Sequence, residues 1–186
     1  METFTESKSV VSGALKVRAW TAFQVILGSL FLSTCAQISI PFYPVPMTMQ
    51  TLGVFILALM QGGRRASYST FLYLALISLG LPLLSGGVSN SLWLALPTAG
   101  YLIGFPVAAF IIGKLAYAKE RPSSWWIMMS ILLGQMVIYT LGVGNLTRFL
   151  SFKQSVLVGL LPFLPLAGVK LLMATTFGSL WLRRKS

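Results

Sequence analysis

The chain has 186 residues, 56% of them hydrophobic and only 9% charged, where a soluble domain carries roughly 25% charged residues. With a mean hydropathy of +0.82, this composition excludes a soluble domain and predicts one all-α integral membrane domain in contact with lipid. There is no histidine, the only acids are Glu2, Glu6 and Glu120, and Cys35 is the one cysteine. A histidine-based triad, a paired-carboxylate mechanism in the apolar body, an intrachain disulfide and a zinc cluster are therefore excluded, and no enzyme is expected. Gly113-Lys114 has Ala108 where a phosphate loop needs its leading glycine, so any ATP-driven step belongs to another chain.

Residues 1–15 read as a short polar tail, with the membrane domain at 16–186. No small-residue cleavage site follows a short apolar core near the N-terminus, so a signal peptide is not expected. The first span is predicted at 19–36. Three prolines among residues 41–46 exclude helix there. Apolar runs follow at 47–61, ended by Gly62-Gly63-Arg64-Arg65, and at 66–79, ended by Gly80-Leu81-Pro82. Both are short for a bilayer that needs about 20 residues. They fit either a re-entrant hairpin or, as preferred here, two short spans shielded by longer neighbours. Residues 80–97 form a Gly-, Ser- and Pro-rich loop, of a length that is usually functional. The fourth and fifth spans are predicted at 99–118 and 125–144. A sixth, at 156–182, is interrupted early by Pro162 and Pro165, which predict a kink or a separate turn.

Six spans with both termini cytoplasmic put Lys8, Lys16, Arg18, Arg64, Arg65, Lys114, Lys119, Arg121, Arg183, Arg184 and Lys185 inside, and only Arg148 and Lys153 outside. Eleven against two obeys the positive-inside rule. The charge of +11 is thus a matter of topology and implies no nucleic-acid partner.

Lys170 is left over, inside the sixth span. It lies 13 residues before Arg183, about 20 Å from the inner interface at roughly 1.5 Å per residue. Snorkelling to the outer surface would explain it. All three acids fall on the inner side, however, so carbonyls, water or an anionic ligand must balance the cation. An intramembrane charge marks a functional site. The irregular segments 37–49 and 80–98 lie on the same outer side, with the neutral polar residues Gln37, Thr48, Gln50, Ser85, Asn90, Thr98 and Tyr101. Neutral hydrogen-bonding groups, aromatics and one lysine suit a small amphiphilic anion and not a metal ion. Gly100, Gly104 and Ala108 recur at intervals of four, and Gly28, Ser29 and Ser33 form a looser set. Such spacing lets helices approach closely, within the chain or against another subunit.

Several of these segments together resemble the BioY family. Ala36-Gln37-Ile38-Ser39-Ile40-Pro41 with Pro44-Val45-Pro46-Met47-Thr48-Met49-Gln50-Thr51-Leu52 is similar to its first loop. Gly80-Leu81-Pro82, Gly86-Gly87 and Pro97-Thr98-Ala99-Gly100-Tyr101-Leu102-Ile103-Gly104-Phe105-Pro106 resemble its central signature. Ile138-Tyr139 with Gly142, and Leu161-Pro162-Phe163-Leu164-Pro165 leading to Lys170, match the last two. The resemblance covers residues 15–182. It implies a biotin-specific S component of an energy-coupling-factor (ECF) transporter, a six-helix protein of the bacterial cell membrane. Such a protein captures biotin, its transported ligand and not a cofactor, at the outer face. A transmembrane coupling protein and a cytoplasmic ATPase pair are the implied partners. A related S component for another small carboxylated vitamin is the alternative. The resemblance implies substrate-binding roles for Lys170, Asn90, Gln50, Thr48, Gly86, Gly87, Thr98, Tyr101 and Tyr139. Where the family carries an acid three residues before the lysine, this chain has Ala167. The acceptor for a ureido N–H must then come from elsewhere, with Asn90 and Gln50 the candidates.

Overall fold

The computed structural model describes residues 2–184, and of residues 2–15 only the backbone is considered. Met1, Lys185 and Ser186 lie outside it. Seven helices follow one another among the described residues: α1 (Glu2–Gln37), α2 (Gln50–Gln61), α3 (Gly63–Ser78), α4 (Ala99–Ala116), α5 (Ser124–Leu146), α6 (Phe152–Gly159) and α7 (Leu164–Arg183). Two residues at each end of the proline loop pair as short strands, β1 (Ser39–Ile40) and β2 (Met47–Thr48). They run antiparallel, with Ser39 opposite Thr48.

Four segments are long and apolar enough to cross a bilayer: 16–37, α4, α5 and the stretch 152–183. α2 and α3 have 12 and 16 residues, so α2 reaches only about 18 Å at 1.5 Å per residue. Longer neighbours shield it, because α2 packs against α1, α3, α4 and α7. One expectation changes, since the N-terminal residues are helical, and one holds, since the prolines of the sixth span make a separate turn. The polar residues before the first span continue α1 from Glu2. Once the apolar span has nucleated a helix, propagation through proline-free sequence costs little. The sixth span is broken into α6, a 3-10 turn at Leu161–Phe163, and α7. Pro162 and Pro165 have no N–H to donate, and both sit at the start of a helical piece, where proline is tolerated.

Glycines decide how closely the helices approach. α4 packs most extensively against α5. A Cβ placed on Gly100 would collide with the Leu141 carbonyl oxygen and Asn145, and one on Gly104 with the backbone of Ile138. The small-residue stripe is therefore used within the chain. The same holds on α1, where Gly28 faces Ser69 and Gln61. At the α2–α3 turn Gly62 takes φ +78°, a left-handed conformation open to glycine. Gly63 and Gly113 meet backbone to backbone there.

These contacts give the bundle two unlike ends. At one, Tyr117 donates to the Leu59 carbonyl (2.9 Å), Trp126 Nε1 to the Leu115 carbonyl (2.9 Å) and Arg65 to Gln24 Oε1 (3.0 Å). Lys119 lies 3.9 Å above the Trp126 ring. This end carries the arginine- and lysine-rich turns. At the other, Gln37 Nε2 donates to the Leu84 carbonyl (3.2 Å), Asn145 Nδ2 to the Leu96 and Pro97 carbonyls (both 3.1 Å) and Tyr101 to the Gly159 carbonyl (2.8 Å). The two irregular loops and Lys170 share this second end.

Candidate functional site

Five pieces of chain enclose a cavity beside Lys170. They are the proline loop with β2 (Val45, Pro46, Thr48), the start of α2 (Gln50, Thr51), the start of α4 (Thr98, Tyr101, Leu102, Phe105), Tyr139 of α5, and the broken segment (Phe163, Leu166, Ala167, Lys170). Helical spacing brings them to one place. Positions 98, 101, 102 and 105 are the i, i+3, i+4 and i+7 positions of one α4 face, and 166, 167 and 170 share a face of α7.

The lysine is inside and does not snorkel, being only 6% exposed. Its Nζ donates to the Thr48 carbonyl (2.5 Å) and to Thr51 Oγ1 (2.9 Å). A carbonyl and a hydroxyl therefore balance the ammonium, one of the options open from sequence. Of three N–H groups, one remains for a third acceptor. Thr48 Oγ1 donates to Gln50 Oε1 (3.0 Å), while Gln50 Nε2 donates to the Tyr73 hydroxyl (2.7 Å). The polar end of the cavity thus mixes donors with acceptors. The opposite wall is aromatic: Tyr101 and Tyr139 each lie with ring centroids about 6.5 Å from Phe163, a spacing at which rings attract.

The cavity is small, about 60 Å³, enough for a few waters. It shares Pro46, Gln50, Thr98 and Leu102 with a second cavity of about 180 Å³, which is also lined by Leu84, Ser85, Val88 and Leu96. Pro46 further borders an open hollow of about 480 Å³ that holds Phe42, Tyr43, Ser85 and Gly86. Typical ligand sites enclose roughly 300–1,000 Å³. Pro46 lines all three spaces.

Of the nine residues singled out from sequence, Lys170, Gln50, Thr48, Thr98, Tyr101 and Tyr139 line the inner cavity. Gly86 lines only the outer hollow, and Gly87 sits beside Gln37 at the loop turn. Asn90 is not brought in: its Oδ1 accepts from the Leu92 N–H (2.9 Å), the local turn asparagine favours. Of the two acceptor candidates, Gln50 is the one that lines the cavity. Thr51 and Phe163 were missed. Both lie inside quoted motifs, and Thr51 directly follows Gln50 in the first turn of α2.

A polar cluster under two loops, enclosed by apolar helices, defines a membrane-embedded small-ligand binding protein. The sequence matches the BioY family over residues 7–185. It is 37% identical over 140 residues to the biotin transporter BioY of Thermotoga maritima, covering 75% of this chain and 82% of that protein. It is 33% identical over 153 residues to the biotin transporter BioY of Rhizobium etli, covering 76% and 80%. The fold is similar to the crystal structure of the S-component for biotin from an ECF-type ABC transporter, with a TM-score of 0.79 and 24% identity over 92% of this chain and 94% of that one. The chain belongs to the BioY family.

Proposed function

We propose that this chain is the biotin-binding S component of an ECF-type uptake transporter. In this reading it is a multi-pass protein of the bacterial inner membrane that captures biotin at the outer face for import. A transmembrane coupling protein and a cytoplasmic ATPase pair are its proposed partners. The observation that carries the reading is the cluster of Lys170, Thr48, Gln50 and Thr51 inside a cavity closed by the two irregular loops. Its chemistry favours one direction for the ligand. A carboxylate, which only accepts, would meet the Thr48 carbonyl and Gln50 Oε1, acceptor against acceptor. A ureido ring carries one acceptor and two donors, and matches the remaining Lys170 N–H together with the Gln50 amide. The bicyclic ring then packs against Tyr101, Tyr139 and Phe163. The aliphatic chain runs past Pro46 and Thr98, and the carboxylate reaches the open hollow at Ser85 and Gly86.

Binding of labelled biotin to the purified protein tests the reading. Saturating biotin is expected to slow hydrogen exchange across residues 41–50 and 80–97, because the loops must part for the ring and close over it. Equal exchange with and without biotin would remove these loops from the site.

The orientation follows from charge, with the arginine-rich end in the cytoplasm. Cysteines introduced singly at Arg65 and Ser89 in a Cys35→Ala background report it. In intact cells an impermeant thiol reagent should label position 89 and spare position 65. Labelling of position 65 from outside would invert the topology and place the cavity on the wrong side for capture.

A further inference from the structure

Tyr73 lies on α3, is fully buried and does not line the cavity. Its hydroxyl donates to the Leu83 carbonyl (3.0 Å) and accepts from Gln50 Nε2 (2.7 Å). A phenol has one hydrogen, and a carbonyl can only accept. The Tyr73 hydrogen is therefore committed to Leu83, and only lone pairs face Gln50. This dictates which way the Gln50 amide stands, a choice made by the network around it. Nε2 must face Tyr73, and Oε1 must face Thr48, whose Oγ1 donates to it at 3.0 Å. Thr48 cannot impose this alone, because a threonine hydroxyl both donates and accepts. What remains of Gln50 is one N–H and one oxygen lone pair, in fixed order, on a side chain that lines the cavity.

We infer that Tyr73 is a positioning residue for ligand recognition. Anchored on the Leu83 carbonyl, it holds the Gln50 amide in the orientation that offers donor and acceptor in matching order to a ureido edge. This rests on the proposed placement of the ureido ring in the inner cavity. The same bond ties the amide to the 80–97 loop, where Gln37 holds the next carbonyl, that of Leu84. Without the phenol oxygen the amide can turn over, since its last torsion is soft and two-fold.

Tyr73→Phe keeps the ring and removes only the hydroxyl. The readout is the affinity of the purified protein for biotin and for iminobiotin, in which an imino N–H donor replaces the ureido oxygen. The variant is expected to bind biotin about tenfold more weakly, the size of one hydrogen bond, and to lose its preference for biotin over iminobiotin by a similar factor. A merely structural tyrosine would lower the melting temperature and weaken both ligands alike. An unchanged preference therefore overturns the inference. Should Tyr73→Phe fail to fold, Gln50→Met carries the same comparison, because it leaves Tyr73 on Leu83. Its preference should also collapse, and an unchanged preference there likewise overturns the inference. Failure of the parent to bind biotin at all would sink the proposed function and the inference with it, whereas tight binding with unchanged preference sinks the inference alone.

Discussion

Lys170→Met is expected to extract and purify as a folded protein yet bind biotin roughly 10- to 150-fold more weakly. The range is that of one charge-assisted hydrogen bond, about 1.5–3 kcal/mol. Methionine keeps the length and apolar stem while removing the ammonium. The variant leaves the Thr48 carbonyl and Thr51 Oγ1 without their donor, but both lie beside a cavity with room for water. Removing a buried cation that has no acid partner also spares its desolvation cost. Calorimetric titration of the purified variant with biotin reads the loss. Parental affinity in Lys170→Met would show that the third N–H does not reach the ligand. A variant that fails to fold would show that the lysine is there to hold β2 and α2 onto α7.

Gly100→Val should abolish folding. The first added carbon collides with the Leu141 carbonyl and Asn145, and neither belongs to a flexible chain end. Relief requires α4 and α5 to separate along their most extensive contact. That separation carries away Tyr101, which grips the Gly159 carbonyl, and Asn145, which grips those of Leu96 and Pro97. The loss should exceed about 3 kcal/mol, the upper end for ordinary overpacking. Gel filtration in mild detergent should show an aggregate in place of a single peak. Gly168→Ala is the control: nothing lies within 4 Å of its added carbon, and alanine is favoured over glycine in a helix by about 1 kcal/mol. A monodisperse Gly100→Val protein would mean that the two helices are not held together by this contact.

The site was legible from sequence where chemistry breaks pattern. Lys170 stands out because a cation inside an apolar run has few explanations, and Thr48 and Gln50 stand out because polar residues close a proline loop. Asn90 looked equally promising and does not line the cavity. An asparagine in a loop satisfies its own backbone as readily as a ligand, and only the Leu92 N–H decides between them. Gly86 and Gly87 carry no side chain to declare where they face. Phe163 went unseen because one more phenylalanine among twelve is silent until Pro162 and Pro165 break the helix and turn it inward. Tyr73 was invisible for a related reason: its value lies in a bond to a loop carbonyl ten residues away, which no spacing rule encodes. The two-residue strands were equally beyond pattern, being too short to show alternation.

The brevity of α2 bears on how the protein is made. A helix of 12 residues cannot partition stably into a bilayer by itself, since spanning needs about 20. α3 begins with two arginines and keeps Ser67, Ser69 and Thr70 in its next turns. The contacts that shelter this pair come from α4, above all where Gly63 meets Gly113, from α1, and to a lesser extent from α7. Of these only α1 is made before the pair, and α4 and α7 are synthesised later. The nascent α2–α3 hairpin therefore has only α1 to lean on until α4 emerges.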